Sequence, residues 1–113
     1  MVVYMEYKLI TQTNELQNGN KKKFFYDNRE ILIVNVEGSF YAVDNKCPHM
    51  GGSLYDGNLD GHSIVCPKHG SGFDLRNGKV TQSGKMLYIK VKPKDLHTYP
   101  VKIEGTNIFI GIE

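Results

Sequence analysis

Two short boxes carry the residues able to do chemistry, Cys47-Pro48-His49-Met50-Gly51 and Cys66-Pro67-Lys68-His69-Gly70-Ser71. Each supplies one thiol and one imidazole, and sixteen residues lie between His49 and Cys66. Thiolate and imidazole together suit zinc and iron–sulfur centres. In each box the Cys and His are near enough in the chain to reach a common centre from one tight loop. The glycines that follow, Gly51 and Gly52 in the first box and Gly70 in the second, permit sharp turns and bring backbone N–H groups toward an anion or a sulfur.

Two metal readings fit this donor set. A single Zn²⁺ takes two thiolates and two imidazoles tetrahedrally, as a structural module that folds only with its metal. Zinc boxes, however, commonly keep two Cys in one knuckle and two His in the other, with two to four residues between ligands. Here each box mixes the two types, and a single residue separates Cys47 from His49. Mixing of this kind suits a two-iron centre with one iron on two thiolates and the other on two imidazoles.

With both boxes in place, the sequence resembles the Rieske iron–sulfur family, whose pattern is C-x-H and C-x-x-H in two glycine-flanked loops. Val43-Asp44, Phe73-Asp74, Gly78-Lys79-Val80 and Tyr99-Pro100-Val101 extend the likeness over roughly Ile31 to Ile112. The resemblance implies a [2Fe-2S] cluster, with Cys47 and Cys66 on the buried iron and His49 and His69 on the exposed one. It also implies an all-β fold of small antiparallel sheets, with a cluster-binding subdomain at about 44–84 inserted in a single domain. Quinol-oxidising members carry two further cysteines that join the cluster loops and a membrane anchor. The matching positions here are Gly52 and Lys68, so this chain is similar instead to the soluble ferredoxins. Its implied work is that of a one-electron carrier from a reductase to an oxygenase or another terminal oxidoreductase, with no substrate chemistry of its own. A small Rieske-like subunit of a larger enzyme such as nitrite reductase is the alternative. High-potential relatives place a serine after His-Gly and a tyrosine two residues later to tune the cluster. Ser71 matches the first, and Phe73 lacks the hydroxyl of the second, which predicts a potential below that of the quinol-oxidising relatives.

The elements that must position these loops read mostly at period two. Val3, Met5, Tyr7 and Leu9 alternate with Tyr4, Glu6, Lys8 and Ile10 as a half-buried strand. Thr13 to Gln17 allows one helical turn. Lys23 to Tyr26, Ile31 to Val36 and Ser39 to Val43 read as strands, the last two joined at Glu37-Gly38. Glu104-Gly105 closes a similar hairpin between Val101 and Ile110, and Asn77-Gly78 joins Phe73–Leu75 to Lys79-Val80. Between the outer hairpins, Asp44 to Gly84 holds eight of the twelve glycines, both cysteines and three of the four histidines. That composition marks a loop-built unit. Lys85 to Pro100 reads as a long covering loop.

At 113 residues the chain suits one domain able to bury a core of its own. A net charge of +2 gives no argument for nucleic acid or an anionic membrane. Lys21-Lys22-Lys23 reads as a solvated strand end. No run approaches the ~18 apolar residues of a membrane span, and Glu6 and Lys8 interrupt the N-terminus, so a cytoplasmic protein is expected. Docking should centre on the loop tips, with Met50 and Met86 as an apolar patch and Lys46, Lys68 and Lys85 at its rim. His62 and His97 read as surface residues rather than ligands.

Overall fold

The computed structural model describes residues 5–48, 51–68, 70–86, 89–91 and 94–113. Among them the regular structure is strand, apart from single 3-10 turns at Thr13–Glu15 and Leu54–Asp56. These residues form four antiparallel sheets.

The middle layer is a four-stranded sheet in the order β11-β4-β3-β2 (β2 Lys21–Tyr26, β3 Arg29–Val36, β4 Ser39–Asp44, β11 Thr98–Tyr99). Its central strand β3 runs Ile31-Leu32-Ile33-Val34, an unbroken apolar stretch, because both of its faces are covered. Leu32, Val34 and Val36 pack with Cys47, Leu54, Ile64, Cys66, Phe73 and Leu75. On the other face, Ile31 packs with Ala42, Tyr99, Ile110 and Ile112, and Ile33 with Leu16 and Ile108. One strand thus ties the metal loops to the remainder of the core. The β3–β4 turn is tight because Glu37 and Gly38 both take positive φ, at 53° and 88°.

The second layer is the three-stranded sheet β1-β13-β12 (β1 Glu6–Gln12, β12 Val101–Glu104, β13 Asn107–Ile112). The alternation over 5–10 gives the expected strand, with its apolar face turned outward. Tyr7 and Leu9 are exposed, whereas Ile10 packs inward beside a register shift between Leu9 and Thr11. The inward side is already filled by Ile108, Ile110 and Ile112 of β13. Val3 and Tyr4 lie outside the described residues.

The third sheet, β5-β6-β7-β8 (β5 Asn58–Asp60, β6 Ser63–Val65, β7 Gly72–Asp74, β8 Val80–Gln82), covers the open face of the middle layer. The Asn77-Gly78 turn joins β7 to β8 as expected. The segment expected as a covering loop is different. Gly84–Met86 (β9) pairs with Ile89–Val91 (β10) as a hairpin, and β11 adds to β4 through Thr98↔Val43 and Tyr99↔Ala42. Lys85 to Pro100 is therefore partly strand, its short segments held by the backbone pairing of a neighbour.

The lysine run lies on β2, an edge strand, where lysines discourage edge-to-edge association. It is not wholly solvated, because Lys21 Nζ donates to the Gly57 carbonyl and Lys22 pairs with Glu15 at 3.2 Å. Among the described residues no helix is long and apolar enough to cross a membrane.

Candidate metal centre

Both boxes fold into the same backbone frame. In the first, Cys47 N–H donates to Gly52 O at 2.8 Å, and Gly51 N–H donates back to Cys47 O at 2.8 Å. In the second, Cys66 N–H donates to Ser71 O at 2.7 Å, and Gly70 N–H donates to Cys66 O at 3.1 Å. Gly51 and Gly70 hold φ of 71° and 79°, a conformation in which a side chain would be strained. The N–H groups of these two glycines are therefore spent on closing the turns rather than turned toward a ligand. The frames agree at the base as well. Lys46 bridges to Ser53, and Val65 pairs with Gly72, in each case the residue before the cysteine with the sixth after it. In sequence the histidine stands second after the cysteine in one box and third in the other.

The loops meet at their cysteines. Cys47 and Cys66 are each 2% exposed, belong to one core cluster and form no disulfide. A Cβ added at Gly52 would stand 3.0 Å from Cys66 Sγ and 3.2 Å from Lys68 Cγ. Loop one therefore lies directly on the second thiol. The Lys68 stem covers Gly52, at the two positions where quinol-oxidising relatives carry their cross-link. Below the loops, Gly57 fits so closely to β6 that a Cβ there would lie 2.1 Å from the Val65 carbonyl oxygen.

Ser71 is 1% exposed, and its hydroxyl has no hydrogen-bond partner among the described residues. A buried, unpaired hydroxyl costs about 1–3 kcal/mol, so in the working protein it has an acceptor to find. Phe73 is fully buried in the same cluster as both cysteines. Two sequestered thiols and a buried hydroxyl without an acceptor among the described residues fit an iron–sulfur cluster in donor chemistry.

His49, Met50 and His69 lie outside the described residues, as do the side chains of Lys85 and Met86, so the positions expected for the imidazole ligands and the apolar docking patch are not placed. Lys46 and Lys68 are exposed, as a docking rim requires. His97 is exposed, its ring edge-on to Tyr99 at 4.7 Å, and His62 lies edge-on to Tyr41 at 6.0 Å.

Behind the first loop, Tyr99 Oη donates to Asp44 Oδ1 at 2.5 Å. Burial, and then the Asp44 carboxylate, raise the Tyr99 pKa, so the phenol stays protonated. At the end of β7 the Arg76 guanidinium holds Asp74 below its ordinary carboxylate value, through paired bonds of 3.0 and 2.9 Å. Gln82, which sequence patterning did not single out, donates Nε2 to Gly70 O at 2.8 Å and ties down the second loop. A glutamine on a short strand gives no signal of such a role without the register of β7 against β8.

Comparison with known proteins agrees with this geometry. The ferredoxin component of the naphthalene 1,2-dioxygenase/salicylate 5-hydroxylase systems of Ralstonia sp. is 38% identical over 100 residues, 88% of this chain and 89% of the relative. The Sphingomonas yanoikuyae B1 ferredoxin superposes with a TM-score of 0.77 at 28% identity, covering 96% of this chain and 100% of its own. A chain from the complex of reduced oxygenase and oxidised ferredoxin in carbazole 1,9a-dioxygenase gives a TM-score of 0.82 at 23% identity, covering 92% of this chain and 91% of that one, a likeness of fold. The family model of the Rieske [2Fe-2S] domain matches residues 6–100. With its paired loops, sequestered thiols and this match, the chain belongs to the Rieske [2Fe-2S] domain family.

Proposed function

We propose that Cys47 and Cys66 hold one iron of a [2Fe-2S] cluster and His49 and His69 the other. On that reading the chain is a cytoplasmic ferredoxin that passes single electrons from a reductase to an oxygenase. It is one domain whose residues 44–84 form the cluster-binding part, and it carries electrons rather than converting a substrate. The observation that supports this most is the meeting of two identical loop frames at two buried thiols, with the Ser71 hydroxyl left over beside them. When bound, the cluster supplies a one-electron redox couple, and two neutral imidazoles in place of two thiolates make its reduction easier than in an all-cysteine site.

The protein's own residues set the terms of that couple. Burial of Cys47 and Cys66 keeps water from the sulfurs, and the Ser71 hydroxyl, without a partner among the described residues, is a donor that a bound cluster would take up. Phe73 offers none. Restoring that donor with Phe73→Tyr should raise the midpoint potential by roughly 20–60 mV, the one-electron equivalent of a net hydrogen bond of about 0.5–1.5 kcal/mol. Protein-film voltammetry measures it, and an unchanged or lowered potential in a folded variant would count against a tuning role for position 73.

The relatives are named as ferredoxin components of dioxygenase systems, which directs the functional test. Protein reduced by one electron under anaerobic conditions is mixed with an oxidised Rieske oxygenase and followed by stopped-flow absorbance. Rapid reoxidation, slowed by added salt as for a lysine-rimmed contact, is the expected result. No transfer to any oxygenase, with ready transfer to a nitrite reductase, would move the chain to the other acceptor class.

A further inference from the structure

The two loops share a frame but not a support. Loop two grows out of a ladder, in which Ile64↔Phe73 and Ser63↔Asp74 continue below the Val65↔Gly72 rung. Loop one has the equivalent rung, Lys46↔Ser53, and below it Leu54 N–H donates to Asn45 O at 2.8 Å. The next rung would need Asp44 opposite Tyr55. Asp44 is already engaged on both sides, paired with Ile31 of β3 and donating its N–H to His97 O at 2.9 Å.

The side chain of Asn45 fills the gap. Its Oδ1 accepts from Tyr55 N–H at 2.8 Å, and its Nδ2 donates to Ser53 Oγ and to Glu30 Oε2, both at 3.0 Å. An amide has two donor hydrogens and one carbonyl, and here all of them are engaged at a residue that is 0% exposed. Asn45 stands at the entry of loop one, Ser53 and Tyr55 at its exit, and Glu30 on β3, the strand that runs through the core, so one amide ties all three together. Aspartate would fit the space but would set a second carboxylate against Glu30. Alanine would strand the Tyr55 N–H.

We propose that Asn45 is the positioning residue of the first cluster loop, its amide standing in for the ladder that loop two has and loop one lacks. It touches no metal. It fixes Cys47, two residues along, and so governs how firmly the first box holds its share of the cluster. This rests on the ligand assignment proposed above.

The matched reference is Asn35, also buried, whose amide donates to Leu16 O at 2.9 Å and accepts from Gly38 N–H at 2.8 Å in the hairpin turn of β3 and β4. The experiment follows iron release to a chelator from oxidised holoprotein, well below the melting temperature of each variant, together with the g-values of the reduced protein. Asn45→Ala should release iron about 10-fold faster or more and shift the g-values. Ser53→Ala should move both in the same direction by less, and it carries the test alone if Asn45→Ala does not fold. Asn35→Ala should lower the melting temperature and leave release and g-values at wild type. Wild-type release from both loop variants, or equal acceleration in Asn35→Ala at equal loss of melting temperature, would overturn the proposal. Failure of the ligand assignment is separate, since it would show as wild-type protein without the two-iron signal before any variant is made.

Discussion

Gly57→Ala should leave a less stable protein that carries little iron. The added methyl would lie 2.1 Å from the Val65 carbonyl oxygen and 3.1 Å from that of Leu54, and both obstacles are backbone. Gly57 has φ of −84°, which any residue adopts, so the penalty is purely steric. Relief requires the exit of loop one to move away from β6, the strand that leads into Cys66. Overpacking of a core typically costs 1–3 kcal/mol, and a rigid backbone contact at this distance should reach the top of that range. For a chain of this size that is a fall in melting temperature of roughly 10 °C. The fall should come with a loss of iron out of proportion to the loss of secondary structure. Thermal melts by circular dichroism and iron content by mass spectrometry measure the two. A variant with wild-type melting and full iron would show that the loops do not depend on this contact.

The second large effect is expected at the thiols. Cys66→Ser and Cys47→Ser should each abolish the visible absorption and the reduced-state resonance signal, because serine oxygen is a poor ligand for an iron–sulfur centre. The β framework should survive. Leu32, Val34, Ile64 and Phe73, all fully buried, pack on one another as well as on the cysteines, serine keeps nearly the volume of cysteine, and Ile31 and Ile33 close the opposite face without sulfur. A native far-ultraviolet spectrum without iron is the predicted outcome for both. A coloured serine variant with an unaltered signal would remove that cysteine from the ligand set.

Much of this architecture is legible in the chain because local signals and global needs coincide. The run Ile31–Val34 announces a strand buried on two faces. Glu37-Gly38 and Asn77-Gly78 each mark a hairpin where a residue must turn with positive φ. The boxes are legible for a different reason, since four donors of two kinds at fixed spacing have few uses besides a metal. The misread segment is instructive. β9 and β10 have three residues each, and β11 has two. Strands so short carry no periodicity of their own and exist because a partner is present. The outward face of β1 was hidden likewise, because alternation names two faces without saying which is covered. Asn45 and Gln82 give no signal in isolation. Their partners lie eight to fifteen residues away, at Ser53, Glu30 and Gly70, and only the folded loops bring them together.

The central claim, a two-iron cluster held by two thiols and two imidazoles, is tested most directly on the wild-type protein. It is purified without oxygen, analysed for iron, zinc and acid-labile sulfide, titrated with a reductant and examined by electron paramagnetic resonance. The expected result is two irons and two sulfides per chain, a rhombic signal appearing with one electron, and a midpoint toward the low end of the roughly −150 to +300 mV spanned by mixed histidine–cysteine clusters. A colourless protein holding one zinc and no sulfide, silent on reduction, would contradict it.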